Sequence, residues 1–151
     1  MMVWRGEDAM TPHQKRLVQA SFAQVAPIAE TAAALFYARL FELDPSLRPM
    51  FTHNINDQGR KLMQMLSVAV RGLDDLDNLV PAVRALGLRH AGYGVRDEHY
   101  ETVATALIST LEIGLGEAFT DEVRAAWTAV YWLLAYTMQA GAEDGLLARS
   151  A

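Results

Sequence analysis

Cysteine is absent from this chain of 151 residues. Its absence excludes disulfide bonds, thiolate metal sites and iron–sulfur clusters, so any bound metal must be held by histidine, carboxylate, tyrosine or methionine. Proline and glycine are also scarce, with 5 and 10 residues, and this scarcity favours helices over short strands and turns. No stretch shows the two-residue period of a half-buried strand. The chain is therefore predicted to be all-α.

Concentrated positive charge and long apolar segments are missing as well. The net charge of -5 argues against a nucleic-acid partner, because phosphate binding needs clustered lysine and arginine. The uncharged stretch 125–142 includes Thr128, Tyr131 and Gln139, whereas a membrane span needs about 20 more uniformly apolar residues. The amino terminus lacks the apolar core of a signal peptide. We expect a cytoplasmic protein with no membrane partner.

The pattern of apolar residues predicts one folded domain at residues 11–151, preceded by an N-terminal tail at residues 1–10. About seven helices are expected. In order, they cover 12–25, 28–42, a short helix begun by Pro45 and capped by Asp44, 58–71 capped by Asp57, a helix ending at His90, 97–114, and a last helix from Thr120 to Gly141. A flexible link is predicted at 72–78, with Pro81 in the first turn of the helix that follows it.

The segment LGLRHAGYGV holds a histidine, His90, where a helix is predicted to end. Gly92 and Gly94 follow it at once. Leu86 lies four residues earlier, so its backbone carbonyl could accept one ring N–H and leave the other ring nitrogen free to bind a metal. A single helical histidine is more often an ordinary core or surface residue. By itself, His90 is a weak indication of a metal site.

Three other residues give His90 more weight: Tyr37, Phe51 and Gln58. Phe51 follows Tyr37 by 14 residues, and His90 follows Gln58 by 32. Together with the ordered segments ALFYARLF, DQGRKLMQ, LGLRHAGYGV, DEHY and AAWTAVY, they make the chain resemble a globin. The resemblance is to bacterial single-domain and thermoglobin-type globins and to the haem domain of flavohaemoglobins, and it covers about residues 11–140.

This resemblance implies a globin fold around a b-type haem, with His90 as the proximal iron ligand. Phe51 would pack flat on the macrocycle, backed by Phe41. Apolar walls would come from Leu62, Leu66, Leu86, Val95 and Val103, although ordinary core packing explains Leu66 and Val103 equally well. Arg89, Arg60 and Lys61 could pair with the haem propionates, or they could be solvated surface charges.

On the distal side, the resemblance places Gln58 where many oxygen carriers have a histidine, and Tyr37 faces the same space. Dioxygen on ferrous iron takes on negative charge, so a phenol and an amide donor would each contribute about 1.5–3 kcal/mol. Tight dioxygen binding is expected, with less gain for carbon monoxide. Alternatively, Tyr37 bonds to backbone and Gln58 turns to solvent. Since an amide is a poor iron ligand, we expect the ferrous form to stay open to gases.

On the proximal side, Tyr100 lies where flavohaemoglobins have a tyrosine that joins a carboxylate in bonding to the ligand histidine. Ala142 occupies the position of that carboxylate, with Glu143 one residue later. This departure puts a strongly anionic proximal ligand in doubt. Tyr100 could equally be a packing residue whose hydroxyl is satisfied elsewhere.

Two functions fit the resemblance. One is an enzyme that lets bound dioxygen react with nitric oxide; because the chain ends at Ala151 without a flavin domain, a separate reductase is expected. The other is a protein that stores or delivers dioxygen without chemistry. A gas sensor and a haem-free helical interaction module are further alternatives. In each haem-binding case we expect dioxygen, nitric oxide and carbon monoxide as ligands, and a monomer or weak homo-oligomer.

Overall fold

The computed structural model describes residues 10–51 and 54–150, and none of these residues lies in a strand. They form six α-helices: α1 (Pro12–Val25), α2 (Ala29–Leu43), α3 (Ile55–Gly72), α4 (Leu76–Gly92), α5 (Asp97–Leu115) and α6 (Asp121–Ser150). They also form three 3-10 helices: Ala26–Ile28, Pro45–Met50 and Gly116–Ala118. The predicted all-α class is confirmed, and none of the described helices is long and apolar enough to cross a membrane.

The main core lies where α1, α2, α5 and α6 meet. At its centre is Trp127, which is only 2% exposed and donates its indole N–H to the Ser21 hydroxyl at 2.8 Å. Val18 and Val130 pack around it with 0% and 1% exposure. Burying each such side chain contributes about 1.5–3 kcal/mol. Met10, the last residue of the predicted tail, is half-buried against this core, and residues 1–9 lie outside the described residues.

Local capping shows that α1 begins where predicted and that α3 begins earlier than predicted. Thr11 and Gln14 form the predicted reciprocal capping box at the start of α1. The prediction that Asp57 caps α3 is wrong. Asn54 is the cap, since its side-chain oxygen accepts the N–H of Asn56 at 2.8 Å and that of Asp57 at 3.4 Å. Asp57 instead places its carboxylate in the first turn, near the positive end of the helix dipole.

The segment between α3 and α4 is shorter than predicted. Only residues 73–75 separate the two helices, and Leu73 among them is 3% exposed. The prediction of a flexible link at 72–78 is therefore wrong, because burial of Leu73 ties the turn to the core. Pro81 lies inside α4 rather than in its first turn. Its ring removes a backbone bond to Asp77, whose exposed position leaves that carbonyl near solvent.

The last helix does not end at Gly141 as predicted. α6 continues through this glycine to Ser150, and Gly141 is buried against α4. A glycine within a helix costs about 1 kcal/mol relative to alanine, so its presence here has a packing reason. Contact with α4, the helix that carries His90, supplies that reason.

Candidate functional site

His90 lies near the carboxyl end of α4 and is held by its own backbone surroundings. Its Nδ1 lies 2.9 Å from the Leu86 carbonyl oxygen, the contact predicted from the four-residue spacing. Its own carbonyl accepts the N–H groups of Tyr93 at 3.0 Å and Val95 at 3.2 Å. When Nδ1 donates to Leu86 in the neutral ring, Nε2 carries a free lone pair.

Electrostatics favour the neutral form of this ring. Burial lowers the pKa of His90, the bond to the Leu86 carbonyl opposes that change, and the nearby Arg89 guanidinium lowers the pKa further. A neutral imidazole is the form that binds a metal. The local geometry and the pKa together make His90 Nε2 a competent metal donor.

A second group of side chains gathers where α2, α3 and the 3-10 helix Pro45–Met50 come together. Tyr37 is 7% exposed, and its ring packs edge-on against Phe51 with centroids 5.3 Å apart. Phe41 contacts Phe51 at 5.4 Å, as expected of a residue that backs it. Burial raises the pKa of Tyr37 from 10.0 to about 12. Its hydroxyl is a protonated donor at neutral pH, as it would be at the ordinary pKa.

Tyr37 and Gln58 are neighbours across the α2–α3 crossing. The Tyr37 hydroxyl donates to the backbone carbonyl of Gln58 at 3.4 Å, a long bond that costs little to exchange for a better acceptor. The alternative in which Tyr37 bonds to backbone is thus what this structure contains. Gln58 itself is half-buried.

Gly59 makes this neighbourhood possible, and sequence reasoning missed it. A Cβ at Gly59 would lie 2.9 Å from the Ala33 Cβ and 3.9 Å from the Tyr37 ring. Only a residue without a side chain lets α3 approach α2 closely enough to place Gln58 beside the phenol. The available signal was a glycine inside a strongly amphipathic helix, next to a polar residue at the head of its apolar stripe.

We expect Gly59→Val to lower the free energy of unfolding by about 1–3 kcal/mol, because a rigid methyl pair cannot be relieved by side-chain rotation. Urea unfolding of both variants, with Gly114→Val as the control, measures this cost. Gly114 also lies in a helix, but its Cβ would meet only Ile28, at an ordinary 3.6 Å. Equal stability of the two variants would show that the crossing is not close-packed at Gly59.

The predicted wall residues fall into two sets. Leu62 and Leu66 contact the core and line a cavity of about 20 Å³ together with Phe36 and Leu107. Val103 also packs against the core, so core packing accounts for part of the surface of these three residues. Leu86 and Val95 are half-buried on either side of His90 in sequence.

These wall residues are suited to a flat apolar group. Phe51, Leu62, Leu66, Leu86, Val95 and Val103 are all apolar, yet each keeps a partly exposed surface, unlike Leu40 at 2%. Apolar area withdrawn from water contributes about 25 cal/mol per Å². Half-buried apolar walls, together with one neutral imidazole donor, fit an iron porphyrin better than a hydrated metal ion.

A wider cleft of about 580 Å³ lies between α2 and α3 on the Gly59 side. Its floor includes Ala33 and Ala34, and Tyr37 and Phe41 contribute to its wall. The guanidinium of Arg48 lies over the Phe41 ring at 5.3 Å from its centroid. Sequence reasoning did not anticipate this cleft.

The charged residues predicted near the haem propionates differ in their surroundings. Arg60 pairs with Asp57 at 3.3 Å, which favours the surface-charge interpretation for Arg60. Lys61 and Arg89 are exposed, and the charge of Arg89 acts on His90. Exposed ion pairs contribute about 0–1 kcal/mol, so these residues would orient a bound group more than hold it.

Tyr100 is buried in the first turn of α5, with 8% exposure. Its backbone carbonyl accepts the hydroxyl of Tyr131 from α6, a connection that sequence reasoning missed. Burial, and secondarily Asp97, raise the pKa of Tyr100. Glu143 is exposed and Ala142 half-buried. Bonding of Tyr100 to His90 and the alternative role of Tyr100 as a packing residue both stay predictions.

Comparison with known protein families decides the identity of this fold. The family model described as Globin matches residues 34–138. The chain belongs to the globin family. Membership implies that this globin binds haem and, through the haem, diatomic gases.

Curated relatives of this globin include two kinds of protein. It is 34% identical to a flavohemoprotein of Bordetella parapertussis over 94% of the chain and 36% of that protein. It is 28% identical to a flavohemoprotein of Xylella fastidiosa over 94% of the chain and 37% of that protein. It is also 28% identical to Neuroglobin-2 of Oncorhynchus mykiss over 91% of the chain and 96% of that protein. The chain thus spans little more than a third of each flavohemoprotein.

A solved structure supports the same fold. It belongs to an engineered carbene transferase, a proposed nitric oxide dioxygenase of Rhodothermus marinus. It matches with a TM-score of 0.84 and 26% sequence identity, over 95% of this chain and all of that one.

Proposed function

We propose that this globin holds b-type haem through His90, binds dioxygen reversibly and tightly, and combines it with nitric oxide to give nitrate. One nitric oxide, one dioxygen and one electron balance one nitrate, so a reductase belongs to the proposal. The observation that carries it is the buried, protonated Tyr37 hydroxyl beside Gln58 at the α2–α3 crossing. The likeness to flavohemoproteins and to a proposed nitric oxide dioxygenase supports it.

When bound, the haem iron supplies an electron-rich site at which a diatomic gas binds and gains negative charge. His90 would hold the iron through Nε2, and the Leu86 carbonyl fixes the orientation of the ring through Nδ1. Phe51, held edge-on by Tyr37 and Phe41, would offer an aromatic face to the porphyrin.

On the distal side, the roles follow from donor strength. With haem bound, the Tyr37 O–H would exchange its long bond at the Gln58 carbonyl for one to a gas that carries negative charge, and the Gln58 amide would add a second donor. Charge-assisted bonds of this kind contribute about 1.5–3 kcal/mol each. Leu62 and Leu66 exclude water, and this exclusion strengthens both bonds. A more neutral gas such as carbon monoxide gains less.

Repeated addition of nitric oxide to the oxygenated protein, with an electron donor present, tests the proposed reaction. We expect nitrate to form over many equivalents per haem, and Tyr37→Phe to slow its formation. A yield that stops at one equivalent per haem, with donor still available, would instead identify a protein that stores or delivers dioxygen. Both functions use the same donors, so sustained turnover separates them.

We place this globin in the cytoplasm as a monomer or weak homo-oligomer, with Arg89 and Lys61 near the haem propionates. Sedimentation of the haem-loaded protein over a range of concentrations tests the oligomeric state. A concentration-independent dimer would contradict it.

A further inference from the structure

The two helices α4 and α6 meet through a reciprocal pair of glycines. A Cβ at Gly87 in α4 would lie 1.9 Å from the carbonyl oxygen of Met138 in α6. A Cβ at Gly141 in α6 would lie 1.9 Å from the carbonyl oxygen of Arg84 in α4. Gly87 thus faces the backbone at Met138, three residues before Gly141. Gly141 in turn faces the backbone at Arg84, three residues before Gly87. Neither position can accept a side chain without moving a helix, because backbone cannot rotate aside.

This crossing lies one turn from His90. Gly87 precedes His90 by three residues, which is about 4.5 Å along the helix axis. Leu86, whose carbonyl orients the imidazole, is the residue next to Gly87. The position of α4 against α6 therefore sets the position of both the ring and the group that orients it.

An ion pair lies at the solvent-exposed edge of the contact between α4 and α6. The Arg84 guanidinium pairs with the Asp144 carboxylate, three residues beyond Gly141. Both side chains are about half exposed, at 44% and 57%, so the pair contributes little stability by itself. The glycines, which set the backbone separation, are the determining feature.

We infer that Gly87 and Gly141 are positioning residues for the iron ligand, setting the height and tilt of His90 through the separation of α4 and α6. The inference rests on the proposed role of His90 and deepens it. A Cβ added at either glycine would lie 1.9 Å from the facing carbonyl oxygen, whereas an ordinary contact is 3.4 Å or longer. Because packed backbones cannot interpenetrate, α4 and α6 would have to separate locally by about 1.5 Å.

The test is resonance Raman spectroscopy of the ferrous, gas-free protein, which reports the iron–histidine stretching frequency. We expect Gly141→Ala and Gly87→Ala each to shift this frequency. We also expect haem transfer to an excess of apomyoglobin to speed up by about 10- to 100-fold, the range found when groups that orient metal ligands are altered. An unchanged frequency in both folded variants would overturn the inference.

Leu79→Ala is the matched control. Leu79 is a buried residue of the same helix, 11 residues before His90 and about 16 Å away along the axis. Its truncation leaves a cavity that destabilises the protein without altering the crossing at Gly87. We expect no shift of the frequency. A shift as large as that of Gly141→Ala would reduce the glycines to a general structural role.

A detached ligand separates positioning from every other effect. In the His90→Gly protein supplied with imidazole, the base is no longer joined to α4. Adding Gly141→Ala should then leave the iron–imidazole frequency unchanged. A shift that persists in this background would overturn the inference. A ferrous wild-type protein without any iron–histidine band would instead contradict the proposed function.

If neither alanine variant yields folded, haem-loaded protein, the two glycines serve the fold as a whole, and the inference is overturned.

Discussion

His90→Gly should purify without its native pigment, because the substitution removes the donor that holds the iron. Groups that only orient a metal ligand contribute about 10- to 100-fold to metal affinity, so loss of the ligand itself should lower haem affinity by more than that. The absorption spectrum of the purified protein and its haem content per chain measure the effect. Added imidazole should restore a six- or five-coordinate spectrum.

His13→Gly is the control for this experiment. His13 lies in the first turn of α1 with a 61% exposed side chain, near Glu122 at 3.7 Å. Its replacement also puts a glycine into a helix and costs about 1 kcal/mol, but it should leave the pigment unchanged. If His90→Gly keeps the same spectrum and gas uptake without added base, His90 is not the iron ligand.

Tyr37→Phe should accelerate dioxygen release by about 10- to 100-fold, the equivalent of one charge-assisted hydrogen bond. The phenol is a protonated donor at neutral pH, as a tyrosine with the ordinary pKa of 10.0 already is, and burial raises its pKa further, to about 12. Its present partner, the Gln58 carbonyl at 3.4 Å, is weak enough to be exchanged. Release rates measured by rapid mixing of the oxygenated protein with dithionite and carbon monoxide test this expectation.

Gln58→Leu should act in the same direction through the amide, while the backbone carbonyl that accepts from Tyr37 is retained. Carbon monoxide release should change less than dioxygen release in both variants, because the effect depends on negative charge at the ligand. Tyr136→Phe is the matched control, since Tyr136 is 43% exposed on α6. Dioxygen release that is unchanged in both distal variants would rule out the proposed donors.

The accuracy of the sequence predictions differs between local and distant contacts. The Leu86 carbonyl was predicted as the partner of His90 because a helix brings residues four apart together. The hydrogen-bond distance of 2.9 Å between His90 Nδ1 and the Leu86 carbonyl oxygen confirms this prediction. The Phe41–Phe51 contact came from the family resemblance, and it is present at 5.4 Å. The partner of the Tyr37 hydroxyl, 21 residues away in sequence, could not be read from any local pattern.

Errors arose where several residues of the same type compete. Asn54 and Asp57 are both good helix caps, and local sequence does not decide between them. Gly141 has the composition of a helix end, yet α6 continues through it because the glycine is used for contact with α4. The flexible link predicted at 72–78 is instead a short turn, because Leu73 is buried in the core.

The sequence by itself determined the helical class, the capping box of Thr11 and Gln14, and the orientation of the His90 ring. These depend on atoms within four residues of each other, where helix geometry is fixed. Only the tertiary structure decided that Gly59 brings Gln58 to Tyr37 and that Gly87 and Gly141 bring α6 against α4. Such contacts join residues far apart in the chain, and they depend on how two whole surfaces fit together.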